Sequence, residues 1–121
     1  MKKENAVKDK SLSFAIRIVN LYKYLVAEKR ETVMSKQLLR CGTSIGANIR
    51  EAEQAQSRAD FLSKQNIALK EANEAEYWLE LLMSTEYITR KEYESINADC
   101  VELNKLLISI IKSTKLTDEE N

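Results

Sequence analysis

The chain has 121 residues, enough for one hydrophobic core and too few for two domains. It contains no proline, no histidine and only two glycines. Few turn residues argue against sheet-rich or loop-rich folds, and the lack of histidine removes the commonest general base and zinc ligand. Lysine and arginine total 19, as do aspartate and glutamate, so the net charge is zero and general binding to polyanions is disfavoured.

Apolar residues recur at helical spacing in four segments, and the whole chain, 1–121, reads as one domain. The predicted helices cover approximately residues 11–28, 35–55, 58–85 and 90–113, with both chain ends frayed. Because short connections between long helices make antiparallel neighbours, we expect an all-α, up-down-up-down, antiparallel four-helix bundle.

Two of the helix starts carry capping signals. Ser57, with Asp60 three residues later, is the expected N-cap of the third helix. Thr89 and Glu92 have the spacing of a capping box at the start of the fourth helix.

The first helix has more apolar surface than a lone bundle can bury. Its apolar side chains from Leu12 to Val26 cover about 220° of the helical wheel, whereas a helix of an isolated bundle needs about 100° or somewhat more. The third and fourth helices also carry left-over apolar faces. Since monomers rarely expose large apolar patches, we expect the chain to form a homo-oligomer.

Gly42 and Gly46 lie on adjacent turns of the second helix. Each glycine inside a helix costs roughly 1 kcal/mol relative to alanine, so an interaction must offset that cost. Close approach of another helix is the usual reason, and the two glycines, with Trp78, are the candidates for packing or oligomer contacts. The alternative is that the glycines only make room for large core side chains.

A carboxylate, Glu76, falls in the middle of the apolar seam of the third helix, and Gln65 lies on the same line. A carboxylate in that position must be paired, protonated or at the rim of an interface. Ser44 and Asn48 of the second helix are its candidate partners, and the four residues predict a buried polar network. The alternative is that Glu76 reaches water along the groove.

A modest basic ridge lies on the second helix, opposite its apolar face. Lys36, Arg40 and Arg50 fall within about 80° of one another on the wheel. Together with Arg58 and Lys64, they are the candidates for contacts with RNA or DNA phosphates. The alternative is an ordinary solvated face, because the sequence contains no recognisable nucleic-acid-binding module and no glycine-rich phosphate loop.

Neither catalysis nor cofactor binding has a clear candidate in the sequence. Cys41 and Cys100 lack a partner at metal-ligand spacing, so we expect no metal site, no cofactor and no catalytic residues. Two remaining alternatives are a metalloenzyme built on carboxylates and a protein-interaction adaptor whose partner docks on Ile67, Trp78 and Leu81.

The composition also bears on the compartment. A small secreted domain usually carries several disulfides, so two distant cysteines predict a reduced, cytoplasmic protein. We expect no signal peptide, because no apolar stretch follows the basic N-terminal residues. The longest strongly apolar run, residues 106–111, is too short to span a bilayer, and we expect no membrane contact.

Several motifs resemble a known family. They are the run from Arg40 to Ala52 (RCGTSIGANIREA), Asp60-Phe61-Leu62, residues 67–72 (IALKEA) and Tyr77-Trp78-Leu79. Together they resemble the four helix bundle protein family, also known as the 23S rRNA intervening-sequence protein family because some members are encoded within insertions in ribosomal RNA genes. The resemblance extends over about Leu12 to Ile111.

The resemblance implies a left-handed up-down bundle that assembles into a homopentameric ring. The family is also similar to the accessory protein of diversity-generating retroelements, which is strongly basic and binds nucleic acid and a reverse transcriptase. No catalytic residues are known for the family, and Ser44, Asn48, Glu71 and Glu76 are implied to be structural polar residues. The leading expectation is a non-enzymatic homo-oligomer that acts as a scaffold for RNA or ribonucleoprotein, and the adaptor is the alternative.

Overall fold

The computed structural model describes the backbone of residues 2–120 and the side chains of residues 2–117. Four α-helices make up the fold: α1 Lys2–Ala27, α2 Met34–Glu53, α3 Arg58–Ser84 and α4 Arg90–Glu120. No strand occurs within that described part, so the architecture is all-α with four helices.

The helices enclose one core. α1 packs against α2 and α4, and α3 packs against the same two helices. Lys3 at the beginning of α1 bonds Ser109 in the later part of α4, and Arg17 in the second half of α1 bonds Asp99 in the first part of α4. The largest fully buried apolar side chains come from all four helices: Phe14, Ile18, Leu25, Leu38, Ile45, Leu79, Leu82, Leu103 and Leu107.

The first helix begins at Lys2, nine residues before the expected start and in place of the expected frayed segment. Val7 is fully buried in the core, which anchors this lysine-rich stretch. Lys8 adds an ion pair with Glu53 of α2 at 3.4 Å. α4 likewise continues beyond residue 113, to Glu120. The expectation of fraying at Met1 and Asn121 lies outside the described residues.

Both predicted caps are present. The backbone N–H of Asp60 donates to the Ser57 hydroxyl over 3.0 Å. At the start of α4, the N–H of Glu92 donates to Thr89 Oγ1 over 3.1 Å, and the N–H of Thr89 donates to Glu92 Oε1 over 2.8 Å. These reciprocal bonds satisfy donors that a helix start leaves without intrahelical partners.

The start of α2 is held by a residue that the sequence did not single out. The Glu31 carboxylate accepts the backbone N–H groups of Val33, Met34 and Ser35 over 3.0, 2.9 and 2.7 Å. Glu31 is only 7% exposed. Burial alone would raise its pKa, but the backbone bonds, that from Ser35 foremost, outweigh this effect and lower the pKa. The carboxylate is therefore charged and serves as the cap of α2.

The two glycines of α2 face α1 of the same chain. A Cβ atom on Gly42 would lie 2.9 Å from both Cγ1 and Cγ2 of Ile18. A Cβ atom on Gly46 would lie 3.3 Å from the hydroxyl of Ser11 and 3.7 Å from its backbone oxygen. Gly42 therefore makes room for the side chain of Ile18, and Gly46 makes room for that of Ser11. Both glycines serve packing inside one protomer, and burial removes them from the candidates for oligomer contacts.

Candidate nucleic-acid interface and exposed surfaces

The outer face of α2 carries two exposed cations. Ile45 and Cys41 turn the opposite face of α2 into the core, which leaves Lys36 and Arg50 exposed on the outside. Fourteen residues separate these two positions, which corresponds to about 21 Å along a helix. Phosphate groups along a nucleic-acid strand could contact both cations at once.

Arg40 differs from the sequence prediction. Its Nη1 donates to Glu71 over 3.1 Å, and its Nη2 donates to both carboxylate oxygens of Glu74 over 2.7 Å. The hydrogen bond to Glu74 also raises the pKa of the guanidinium, so it remains charged. Two carboxylates more than neutralise one cation, and Arg40 therefore joins α2 to α3 and does not present positive charge to a phosphate.

The remaining two basic candidates lie away from the α2 ridge. Arg58 begins α3 and lines a depression that Glu4 of α1 and Thr114 of α4 also line. Lys64 is half-buried, two turns further along α3. The five predicted phosphate contacts therefore do not form one patch, and the exposed pair on α2 is the part that faces outward together.

The predicted polar network does not form. The Ser44 hydroxyl donates to the Arg40 backbone oxygen over 2.6 Å, and Asn48 Nδ2 donates to the Ser44 backbone oxygen over 2.9 Å. Both bonds stay within α2 and do not reach α3. Gln65 is buried, 2% exposed, and its Oε1 has no hydrogen-bond partner among the described residues. The expected partners of Glu76 were therefore wrong.

The partner of Glu76 is Asn104, on α4. Asn104 Nδ2 donates to Glu76 Oε2 over 2.6 Å, which ties α3 to α4. Burial raises the pKa of Glu76, and the bond from Asn104 lowers it by less, so the pKa stays above its ordinary value. Asn104 is 8% exposed and lies on the core-facing side of its helix, beside Cys100 and Leu107. It is a structural contact that the sequence analysis missed.

Trp78, the proposed anchor for an adaptor's partner, packs against the core of its own protomer. Its ring is half-buried and packs against the core, and Tyr77 meets it edge-on with ring centroids 5.0 Å apart. Tyr77 itself is 57% exposed, and Ile67 is 38% exposed. The adaptor reading therefore loses its tryptophan anchor and keeps only the tyrosine and aliphatic side chains around it.

Both cysteine thiols are buried and protonated. Burial raises the pKa of Cys41 to about 12 and also raises that of Cys100, whose Sγ donates to the Ala72 oxygen over 3.2 Å. Neither thiol therefore ionises near neutral pH. Across the part of the chain described, no three histidine, cysteine, aspartate or glutamate side chains group closely enough to hold a metal ion. None of the described helices is both long enough and apolar enough to cross a bilayer.

Apolar side chains are exposed at several places on the surface, and Val33 and Leu116 are the most exposed of them at 72% and 60%. Leu12 and Ile16, one turn apart on α1, are 50% and 54% exposed. A groove of about 440 Å³ runs between α1 and α4 near the α3–α4 connection. Its apolar residues are Leu21, Ile88 and Ile96, and its polar residues are Arg17, Asn20, Lys91, Glu92 and Ser95.

Comparisons with known proteins agree with this architecture. The model of the 23S rRNA-intervening sequence protein family matches residues 3–109. The chain is also similar to a crystal structure of a protein with unknown function from the S23 ribosomal protein family of Bacteroides thetaiotaomicron VPI-5482. The two are 79% identical with a TM-score of 0.90, and the match covers 91% of this chain and 98% of that one. No curated protein matches.

Proposed function

The chain belongs to the 23S rRNA-intervening sequence protein family, and from that premise we propose that it is a non-enzymatic, homo-oligomeric scaffold for RNA. In this proposal the helices form a left-handed, up-down-up-down antiparallel bundle, and copies of the bundle assemble into a ring, with five copies implied by the family resemblance. The proposal places the protein in the cytoplasm, which fits its two free, buried cysteines.

The exposed apolar side chains of α1 carry the proposal. Full burial of a leucine or isoleucine contributes about 1.5–3 kcal/mol, so covering the exposed half of Leu12 and of Ile16 would contribute roughly 1 kcal/mol each. A ring repeats that gain at every contact between copies. A solitary protomer would leave both side chains in water.

The test of self-association compares two variants by size-exclusion chromatography with light scattering. We expect Leu12→Ser with Ile16→Ser to reduce the assembled fraction at least tenfold, because both side chains would lose their apolar contacts. The control is Leu116→Ser, which removes a leucine that is 60% exposed near the end of α4. An unchanged mass for the α1 double variant would contradict the proposal.

The two exposed cations of α2 support RNA as the bound molecule. A protomer with zero net charge has little general attraction for polyanions, so we assign RNA binding to a local pair of cations, Lys36 and Arg50, repeated around the oligomer. Each phosphate contacted on a single strand makes the slope of log K against log salt concentration more negative by about 0.7. A ring that uses two cations per protomer would therefore bind RNA with a steep salt dependence.

Fluorescence anisotropy with a labelled single-stranded RNA tests this part. We expect affinity at low salt that falls by at least tenfold between about 50 and 200 mM salt, because counterions are released on binding. Lys36→Ala with Arg50→Ala should abolish it, whereas Lys105→Ala on α4 should leave it nearly unchanged. No affinity at low salt would exclude RNA binding and leave the homo-oligomer standing.

A further inference from the structure

We propose that Glu76 and Asn104 form a proton-dependent clamp between α3 and α4, in which a protonated Glu76 donates a second hydrogen bond to the amide oxygen of Asn104. The clamp acts within one protomer, so it goes beyond the proposed scaffold and does not depend on it. Acidification then holds α3 more tightly against α4.

The bond between Glu76 and Asn104 leaves one buried polar atom without a partner. Asn104 Nδ2 donates to Glu76 Oε2 over 2.6 Å, but Oδ1 of the same amide is buried and has no hydrogen-bond partner among the described residues. Asn104 is only 8% exposed, so this oxygen has little access to bulk water. A buried acceptor that lacks a donor keeps the cost of its desolvation. The contact between α3 and α4 is therefore short of one hydrogen-bond donor.

Turning the amide of Asn104 over does not supply that donor. An ionised carboxylate only accepts hydrogen bonds, so the NH₂ group of Asn104 must face Glu76 while Glu76 is charged. A protonated carboxyl has one O–H donor and keeps an acceptor oxygen. A proton taken from solvent by Glu76 Oε1 can thus be donated to Asn104 Oδ1, while Glu76 Oε2 continues to accept from Asn104 Nδ2.

A carboxylic acid and a primary amide match one another in shape. The two oxygens of a carboxyl group have nearly the same spacing as the oxygen and nitrogen of a carboxamide, so the two groups can exchange two parallel hydrogen bonds. The bond already present between Glu76 and Asn104 supplies half of this arrangement. The terminal torsions of both side chains are soft, so a small rotation can supply the other half.

The groups of α4 that face Glu76 also favour its protonated form. Burial raises the pKa of Glu76, and the bond from Asn104 lowers it by less. Tyr93 and Cys100 of α4 lie near Glu76, and their pKa values are raised by burial foremost and also by the charge of Glu76. Neither group carries a positive charge that would hold Glu76 in its ionised form.

The charged groups on α2 and on α3 itself do not change this balance. Arg40 reaches α3 from α2, but its bonds go to Glu71 and Glu74. Glu80, one turn further along α3, is exposed and negative. Within residues 2–117, no ion pair joins Glu76 to a lysine or an arginine. Protonation of Glu76 therefore breaks no ion pair.

The raised pKa of Glu76 fixes the direction of the pH response. The folded state binds the proton more tightly than the unfolded state, so the contribution of the clamp is fully present below the ordinary pKa of 4.5. It is lost as the pH rises through the raised pKa. The cap formed by Glu31, whose pKa is lowered, responds in the opposite direction.

An NMR titration of the two side chains tests the clamp. We expect the carboxyl carbon of Glu76 to report a pKa above 4.5, and the side-chain amide resonances of Asn104 to move with the same midpoint. A pKa of Glu76 at or below 4.5 would overturn the proposal, and so would an Asn104 amide that does not follow the titration.

Glu76→Gln imitates the protonated form at every pH, because a glutamine can donate to Asn104 Oδ1 and accept from Nδ2. We expect its midpoint of urea unfolding at pH 7 to lie above that of the wild type, and the difference to close as the pH falls below 4.5. The matched control is Glu80→Gln, at the exposed position one turn later, which should leave the midpoint unchanged at both pH values.

Asn104→Ala separates the second hydrogen bond from the simple removal of a charge. Without the amide oxygen, Glu76→Gln has nothing to donate to, so its gain at pH 7 should fall to less than about half in this background. A gain that persists in full would overturn the clamp. A Glu76→Gln midpoint at pH 7 no higher than that of the wild type would also overturn it.

Discussion

Removing the charge of Glu31 should destabilise the fold more than such a small chemical change suggests. The carboxylate accepts three backbone N–H groups at the start of α2, and the Ser35 hydroxyl also donates to the Glu31 backbone oxygen over 2.8 Å. Glu31→Gln keeps the shape but removes the charge, so the loss combines a helix cap with charge-assisted bonds in a buried site. Losses of this kind are about 1–2 kcal/mol.

Urea unfolding at a fixed protein concentration measures this loss of unfolding free energy. In thermal unfolding of a domain of this size, a loss of about 1–2 kcal/mol corresponds to a melting temperature lowered by roughly 4–8 °C. The matched control is Glu28→Gln, which removes an exposed carboxylate one turn earlier and should change stability by less than about 0.5 kcal/mol. Equal effects of the two substitutions would refute the assignment of Glu31 as the cap.

The pH dependence of the unfolding free energy, compared between wild type and Glu31→Gln, tests the role of the Glu31 charge. The folded state lowers the pKa of Glu31 below its ordinary value of 4.5, so the contribution of the charge to stability is fully present above that pH. This contribution is lost as pH falls through the lowered pKa, and the difference between wild type and Glu31→Gln should narrow there. A difference that stays constant into strongly acidic solution would contradict the role of the charge.

Three other predictions concern single positions and are measured by urea unfolding or RNA anisotropy. Gly42→Ala should cost about 1–2 kcal/mol, because a clash with a core isoleucine outweighs better helix propensity, and Gly46→Ala should cost less. Arg30→Gly and Glu86→Gly should each stabilise by about 0.5–1 kcal/mol, since both residues have positive φ, 54° and 68°. Arg40→Ala should lower RNA affinity less than Arg50→Ala does, because its guanidinium is held by Glu71 and Glu74 and does not contact phosphate.

Different results would contradict each of these predictions. A stabilising Gly42→Ala would show that α1 can move away from α2 at little cost. Destabilisation by Arg30→Gly or Glu86→Gly would mean that contacts of those side chains matter more than backbone strain. A fall in RNA affinity for Arg40→Ala as large as that for Arg50→Ala would show that the guanidinium leaves its carboxylates to bind phosphate.

Helical periodicity predicted four helices because each carries a continuous apolar stripe, and local caps predicted the starts of α3 and α4. Periodicity failed at the start of α1, where Val7 is the buried anchor and a lysine-rich surface binds other helices. The Glu31 cap was missed because it reaches α2 from a connection in which Arg30 adopts positive φ. A local sequence pattern predicts neither the early start of α1 nor the cap that Glu31 provides.

The candidate site was only partly predictable for a related reason. A wheel shows which face a residue occupies, but it does not show the residue opposite on the next helix. The wheel therefore placed Arg40 on an outward ridge and missed the carboxylates of α3, and it paired Glu76 with α2 when Asn104 of α4 was its partner. Contacts between helices depend on their relative rotation, which only the three-dimensional packing determines.

Sedimentation equilibrium of the unmodified chain at micromolar concentration tests the central claim of self-association most directly. The half-exposed Leu12, Ile16 and Tyr77 predict an oligomer, whose mass is at least twice the 13.9 kDa of one chain. A single, well-behaved species of 13.9 kDa would contradict the account, because one protomer would then keep these side chains in water without a partner.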